Sequence, residues 1–137
     1  MTFSPAAVGS VTGTLTFTDS APDSLEVVNL SGTGSAPVTF STGSLNFGTV
    51  KVNTTSSAKT VTVTNRLSVT LSLGSVTASA GFIVSSNTCG TSIPAGGNCR
   101  VGVQFAPTVS GAATGTLSFT DSALTSPQTI ALTGTGQ

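Results

Sequence analysis

The chain of 137 residues carries few charges: four Lys or Arg, four Asp or Glu, and no His. Ser and Thr together number 47, so hydroxyl groups must carry much of the hydration of the surface. No apolar run reaches the roughly 18 residues that a membrane-spanning helix needs, and no basic stripe with interleaved aromatic residues occurs. We therefore expect neither membrane insertion nor nucleic-acid binding.

Short stretches in which apolar residues alternate with Ser or Thr predict half-buried β-strands. Gly, Pro, Asn and Ser separate these stretches at the spacing typical of a β-sandwich, and we find no helical period of useful length. The pattern therefore predicts an all-β fold. In chain order the candidate strands are 14–18, 26–30, 44–47, 60–65, 68–73, 81–84, 100–105, 115–121 and 129–133.

Residues 3–34 are repeated at residues 105–136 with a constant offset of 102, and 17 of the 32 positions are identical. An ungapped match of this length indicates a repeat about one domain long. We therefore expect residues 1–35 to be the last third of a preceding unit, two strands joined by a turn, and residues 36–137 to be one complete unit. Since a two-stranded hairpin is marginal alone in water, the first segment is expected to dock on a partner.

Matched aromatic residues and a split of charge accompany the repeat. Phe3 corresponds to Phe105 and Phe17 to Phe119, which predicts that all four anchor a core. Residues 1–35 have a net charge of −3 and residues 36–137 a net charge of +3. Salt screens exposed charges over about 8–10 Å, so the attraction between the two segments can orient a contact but is too weak to hold it.

Two cysteines, Cys89 and Cys99, lie in the Gly-rich stretch NTCGTSIPAGGNCR. The alternatives are a disulfide, a metal site and a reactive thiol. A zinc site needs more ligands than two thiols, and a catalytic thiol needs a basic partner, but His is absent. We therefore predict a disulfide between Cys89 and Cys99, which implies an oxidising, extracytoplasmic compartment.

Other candidate sites have a structural interpretation that we favour. Asp19 and Asp121 share the motif FTDSA, where a calcium site, with Asp23 as a further carboxylate, competes with an Asx turn, and we favour the turn. Lys51 and Lys59 could pair with a Ser, but we expect them to keep an edge strand soluble. We interpret PAGGN as a turn. We expect no metal, no cofactor and no catalytic residue.

Three hydroxyl rows invite comparison with an ice-binding surface. Thr is a good strand former, and the rows fall on different predicted strands, so we favour ordinary strand faces. The rows are Thr14, Thr16 and Thr18, then Thr60, Thr62 and Thr64, then Thr116, Ser118 and Thr120.

The order of several motifs resembles the bacterial repeats called choice-of-anchor D domains, relatives of the ASPM, SPD-2, Hydin (ASH) and major-sperm-protein-like immunoglobulin sandwiches. The motifs are SLNFG at 44–48, the loop between the cysteines, FAP at 105–107 and LTGTG at 132–136. The resemblance implies a seven-stranded Ig-like sandwich, strung in tandem on large secreted or surface-anchored bacterial proteins and carrying no catalytic residues. One departure is NRLSVTL at 65–71, where a Gly is expected after the strand, so the turn there is expected to differ.

These observations predict a non-catalytic structural, spacer or adhesion module of an extracellular or cell-surface protein. The first ten residues, MTFSPAAVGS, lack the basic and apolar regions of a signal peptide, so we expect no export signal in that stretch. The alternative is a carbohydrate- or protein-binding module, although the Trp and Tyr typical of sugar platforms are absent. Because the hairpin at 14–30 resembles the one at 115–133, we also expect self-association or docking on neighbouring repeats through residues 1–35. The alternatives are strand exchange within or between chains, docking on the outside of the complete unit, and edge-to-edge pairing.

Overall fold

The structure is a computed structural model that describes residues 1–5, 8–20, 25–123 and 125–137. Contacts between residues divide the chain into Met1–Ala36, here called unit 1, and Pro37–Gln137, here called unit 2. The described residues of both units form strands and connecting loops, as the all-β prediction requires. None of these residues lies in a helix long and apolar enough to cross a membrane.

Unit 1 contains one antiparallel hairpin of two ten-residue strands. β1 spans Gly9–Thr18 and β2 spans Leu25–Gly34. Their pairing runs from Gly9 opposite Gly34 to Thr18 opposite Leu25. Both strands are longer than the predicted segments 14–18 and 26–30, because Gly and Ser residues that weakened the alternating pattern are still paired across the hairpin.

Unit 2 is an Ig-like β-sandwich of two sheets. One sheet has the strand order β4-β11-β10-β6-β8, in which β11 and β4 are parallel, and the other has the order β3-β5-β9-β7. The strand bounds are β3 Val38–Phe40, β4 Ser44–Val50, β5 Lys59–Asn65, β6 Leu71–Ala78, β7 Phe82–Asn87, β8 Ser92–Ile93, β9 Asn98–Phe105, β10 Gly111–Asp121 and β11 Gln128–Gly136.

The core of unit 2 lies between these sheets and follows the alternation of the sequence. In β5, Val61 and Val63 are buried while Thr60 is exposed, and in β9 Val101, Val103 and Phe105 are buried. Side chains of period two reach the same face of a strand, so each strand contributes one apolar face to the core. The all-β, Ig-like sandwich predicted from the sequence is confirmed, but the described residues of unit 2 form nine strands where the resemblance implied seven.

The chain crosses from one sheet to the other between β5 and β6, at the stretch where the sequence analysis expected an altered turn. Asn65, the last residue of β5, is fully buried. Its Nδ2 donates to the carbonyl oxygens of Val69 at 2.8 Å, Ile93 at 3.0 Å and Pro94 at 3.0 Å, and its Oδ1 accepts from the amide of Leu67 at 2.9 Å. One side chain therefore holds both the turn and the loop that contains β8.

This turn explains where the predicted strand 68–73 was wrong. The observed strand, β6, begins at Leu71 and continues to Ala78, because the carbonyl of Val69 is held in the turn by Asn65. Two short strands, β3 and β8, were missed, since three and two residues are too few to show an alternating pattern.

Replacing Asn65 by Ala should lower the free energy of unfolding by about 3 kcal/mol, because the hydrogen bonds of this buried side chain to the carbonyls of Val69, Ile93 and Pro94 and to the amide of Leu67 are all lost. Urea unfolding followed by circular dichroism measures the change. Asn46→Ala is the matched control, since the exposed Asn46 side chain makes one bond, to the amide of Gly48 at 2.8 Å. We expect a loss of about 1 kcal/mol or less for the control. Equal losses in the two variants would contradict the role assigned to Asn65.

Candidate functional site

The hairpin of unit 1 has the same strand register as the last hairpin of unit 2. The pairs from Gly9 and Gly34 to Phe17 and Glu26 correspond, one by one at an offset of 102, to the pairs of β10 with β11. The repeat seen in the sequence is therefore also a repeat of backbone pairing.

One face of the β1–β2 hairpin is apolar. Cross-strand partners share a face, so Leu15 and its partner Val28 lie on the same side, together with the residues two positions away. We call this surface the open face. Its apolar residues are Val11, Leu15, Phe17, Val28 and Leu30.

Val11, Phe17 and Val28 of the open face are exposed and Leu15 and Leu30 are half-buried, whereas Leu117, Phe119, Ile130 and Leu132 of unit 2 are buried. Phe17 is 51% exposed and Val28 is 48% exposed, while Phe119 and Ile130 at the matching positions are inaccessible. Phe3, which corresponds to the buried Phe105, is 54% exposed. The prediction of core positions is thus correct for Phe105 and Phe119 and wrong for Phe3 and Phe17. The reason is that the described part of unit 1 contains a single two-stranded sheet and hence no second sheet to cover this face.

In unit 2 the matching face is covered by aromatic side chains of the opposite sheet. The ring of Phe40 lies 5.0 Å from the ring of Phe119. The rings of Phe82 and Phe105 lie against Gly115 and Gly134 of the hairpin, where an added Cβ would be 3.1 Å and 2.6 Å from them. Strands also flank the hairpin on both sides, with β6 antiparallel to β10 and β4 parallel to β11. The described part of unit 1 has neither flanking strand.

Gly115 is a packing position that was not predicted from the sequence. A Cβ added at Gly115 would lie 2.7 Å from Cβ of Ser79 and 3.1 Å from the ring of Phe82, so only Gly fits. The available signal was the motif TGTL, present in both repeats, because a Gly inside a strand often marks a close approach.

The predicted disulfide is present between Cys89 and Cys99, whose Cα atoms are 4.8 Å apart. Both residues are buried. The loop is also closed by hydrogen bonds: the hydroxyl of Thr88 accepts from the amide of Arg100 at 2.9 Å, and the amide of Thr88 donates to the carbonyl of Arg100 at 2.9 Å. The loop is thus fastened to β9 by both covalent and polar contacts.

The Asp121 carboxylate forms the local turn that the sequence analysis favoured. Its Oδ1 accepts from the amide of Ala123, two residues on, at 2.8 Å, and from Nε2 of Gln128 at 3.3 Å. Asp23, named as a further carboxylate for the first copy, lies outside the described residues. Among the described residues, no three His, Cys, Asp or Glu side chains are grouped so that they could hold a metal ion.

The remaining candidates lie at separate places on the fold. Lys51 directly follows β4, an edge strand, and Lys59 begins β5. The stretch PAGGN is a turn, in which the amide of Gly97 donates to the carbonyl of Pro94 at 2.9 Å. The three hydroxyl rows fall on β1, β5 and β10, which belong to three different sheets. The described structure thus does not bring these residues together into one site.

Comparison with known proteins places this fold in a family. Residues 35–129 match the family model described as "Abnormal spindle-like microcephaly-assoc'd, ASPM-SPD-2-Hydin", or ASH. The chain belongs to the ASH family. The resemblance to ASH-type immunoglobulin sandwiches is confirmed, and because ASH domains are non-enzymatic Ig-like domains, membership is consistent with a non-catalytic module.

Solved structures agree with this fold at low sequence identity. The ASH/PapD-like domain 7 of human CEP192 is 15% identical with a TM-score of 0.59, and the match covers 74% of this chain and 85% of that chain. A Porphyromonas gingivalis protein of unknown function is 15% identical with a TM-score of 0.60, covering 94% and 66%. The Vibrio cholerae protease VesB is 18% identical with a TM-score of 0.56, covering 72% of this chain but only 32% of the protease chain. These likenesses show the fold alone, and no curated protein matches the sequence.

Replacing both cysteines of the ASH domain, Cys89→Ser with Cys99→Ser, should lower the free energy of unfolding by about 2–3 kcal/mol, the value expected for a loop of about ten residues. Urea unfolding of the wild type with and without dithiothreitol should show the same difference, whereas the double variant should not respond to the reductant. Intact mass before and after alkylation supplies the check: two alkylated thiols in an oxidised preparation would show that the bridge does not form in solution.

Proposed function

We propose that the chain is a non-catalytic structural module, a spacer or adhesion unit, of an extracellular or cell-surface protein built from tandem Ig-like repeats. The disulfide supports the compartment, because disulfides persist in oxidising environments. The offset of 102 supports the tandem arrangement, because a repeat of domain length is typical of such arrays.

In this proposal, residues 1–35 are the last two strands of a preceding unit, and residues 36–137 are the complete unit. The common register of the two hairpins supports the division, since the nine pairs of β1 and β2 from Gly9–Gly34 to Phe17–Glu26 have counterparts in β10 and β11. The separation of residue contacts at Ala36 is consistent with it.

The open face carries the proposal of an assembly role. Exposed apolar patches on small proteins mark interaction surfaces, and here the exposed side chains are copies of residues that are buried in unit 2. Unit 1 therefore joins the module to neighbouring repeats or to other copies of the chain. The net charges of −3 and +3 favour a contact between residues 1–35 of one partner and the complete unit of another.

We expect the purified chain to self-associate with increasing concentration, as measured by light scattering or sedimentation. Leu15→Ser with Val28→Ser, a cross-strand pair on the open face, should weaken association about 100-fold, because two apolar side chains no longer become buried. Thr14→Ser with Asn29→Ser is the matched control, a cross-strand pair on the opposite face, and should associate like the wild type. A wild type that stays monomeric up to its solubility limit, or an open-face variant that associates as strongly, would show the assembly role to be wrong.

A further inference from the structure

Two equivalent glycines differ in what lies over them. A Cβ at Gly115 would collide with Ser79 and the ring of Phe82, whereas a Cβ at Gly13, the same position in unit 1, would meet nothing within 4 Å. Gly13 is thus open at the place where its counterpart is covered by a phenylalanine.

The space beside Gly13 is a formed apolar depression. A cavity of about 340 Å³ is lined in part by Phe3, Val11, Gly13 and Leu30. One wall already has the geometry of the complete unit, because a Cβ at Gly32 would lie 2.6 Å from the ring of Phe3, just as a Cβ at Gly134 would lie 2.6 Å from the ring of Phe105. We call this depression the Gly13 notch.

We propose that the Gly13 notch receives a phenylalanine ring from the body of another ASH unit, in the position that Phe82 takes at Gly115. The partner is a set of strands equivalent to β3–β9 in which the place of the last hairpin, here called the slot, is not filled by the partner's own hairpin. This inference rests on the proposed function, since it names the partner of the same hairpin. Unit 2 of the same chain supports this choice of partner, because it holds an equivalent hairpin that is covered by strands of this kind.

The inward apolar side chains of the hairpin fit such a body, and the charged Glu26 takes the place of the half-buried Gln128. Leu15, Phe17 and Leu30 are identical to Leu117, Phe119 and Leu132, which are fully buried beneath the opposite sheet. The other two apolar positions differ by one or two methyl groups, since Val28 replaces Ile130 and Val11 replaces Ala113. The edges also match, since β1 can pair with a strand like β6 and β2 with a parallel strand like β4.

The test is a full-length chain in which residues 105–136 are replaced by a second copy of residues 3–34, a block of equal length. If the unit 1 hairpin fits an ASH body, this chain unfolds cooperatively with a Tm about 5–10 °C below that of the wild type, a shift typical of small core changes in a domain of this size. A second chain keeps residues 121–127 and replaces only 105–120 and 128–136, so that the loop does not decide the result. If neither chain unfolds cooperatively, the proposal is overturned.

The notch itself is tested by one further substitution. Gly115→Leu within the replaced segment should lower the Tm by more than about 10 °C, because the added side chain takes the place of the Phe82 ring. The matched control is Gly13→Leu in the otherwise unchanged chain, where the Tm of unit 2 should stay the same. Tolerance of Leu at position 115 would overturn the assignment of the notch.

These measurements separate the partner from the assembly role. The replaced chains report by thermal unfolding whether the hairpin fits an ASH body, and this result does not depend on the oligomeric state. A monomeric wild type with a cooperative replaced chain would remove self-association and support the notch. Association of the wild type without cooperative unfolding of either replaced chain would support self-association and overturn the notch.

Discussion

A hairpin with one apolar face is stable only when a second sheet covers that face, and this constraint shapes both units of the chain. In unit 2 the cover is supplied by β3, β5, β7 and β9, and the large apolar side chains of β10 and β11 become buried, namely Leu117, Phe119, Ile130 and Leu132. The described part of unit 1 has the same hairpin in the same register but only two strands, so Phe17 and Val28 stay exposed and Leu15 and Leu30 are only half-buried. The same local sequence thus yields a core in one unit and an open surface in the other.

The cover in unit 2 depends on a chain that changes sheets without leaving buried polar groups unpaired. The crossing from β5 to β6 is such a place, because the turn must leave a fully buried strand end. The side-chain amide of Asn65 donates to the carbonyls of Val69, Ile93 and Pro94. These hydrogen bonds replace the backbone pairing that a continuing strand would have supplied. The Cys89–Cys99 bridge fastens the next loop to β9, so the two irregular stretches of the sandwich are both held by specific contacts.

Much of the fold was predictable from the sequence, and the limits have physical causes. Alternation predicted β5 and β9, because each has one face in the core, and two cysteines without His predicted the disulfide. The role of Asn65 was not predictable, because two of its partners lie 28 and 29 residues away. The exposure of Phe17 was not predictable either, since its local sequence, FTDSA, is identical to that around the buried Phe119. Burial there depends on a covering sheet, which a local pattern does not report.

Competition between the two hairpins determines which slot the first one can fill. In the slot of unit 2, Val28 in place of Ile130 loses about 1 kcal/mol of burial, and Val11 in place of Ala113 adds about 1 kcal/mol or more of crowding. A difference of about 2 kcal/mol means that the slot of unit 2 prefers its own hairpin roughly 30-fold in equilibrium constant. The covalent hairpin also has the advantage of a high effective concentration. Unit 2 therefore keeps its own hairpin at low concentration, and a body with an empty slot is the partner that the unit 1 hairpin fits at least cost. The two hairpins have the same register but are expected to fill different slots. This favours a linear array of repeats over exchange of hairpins between units.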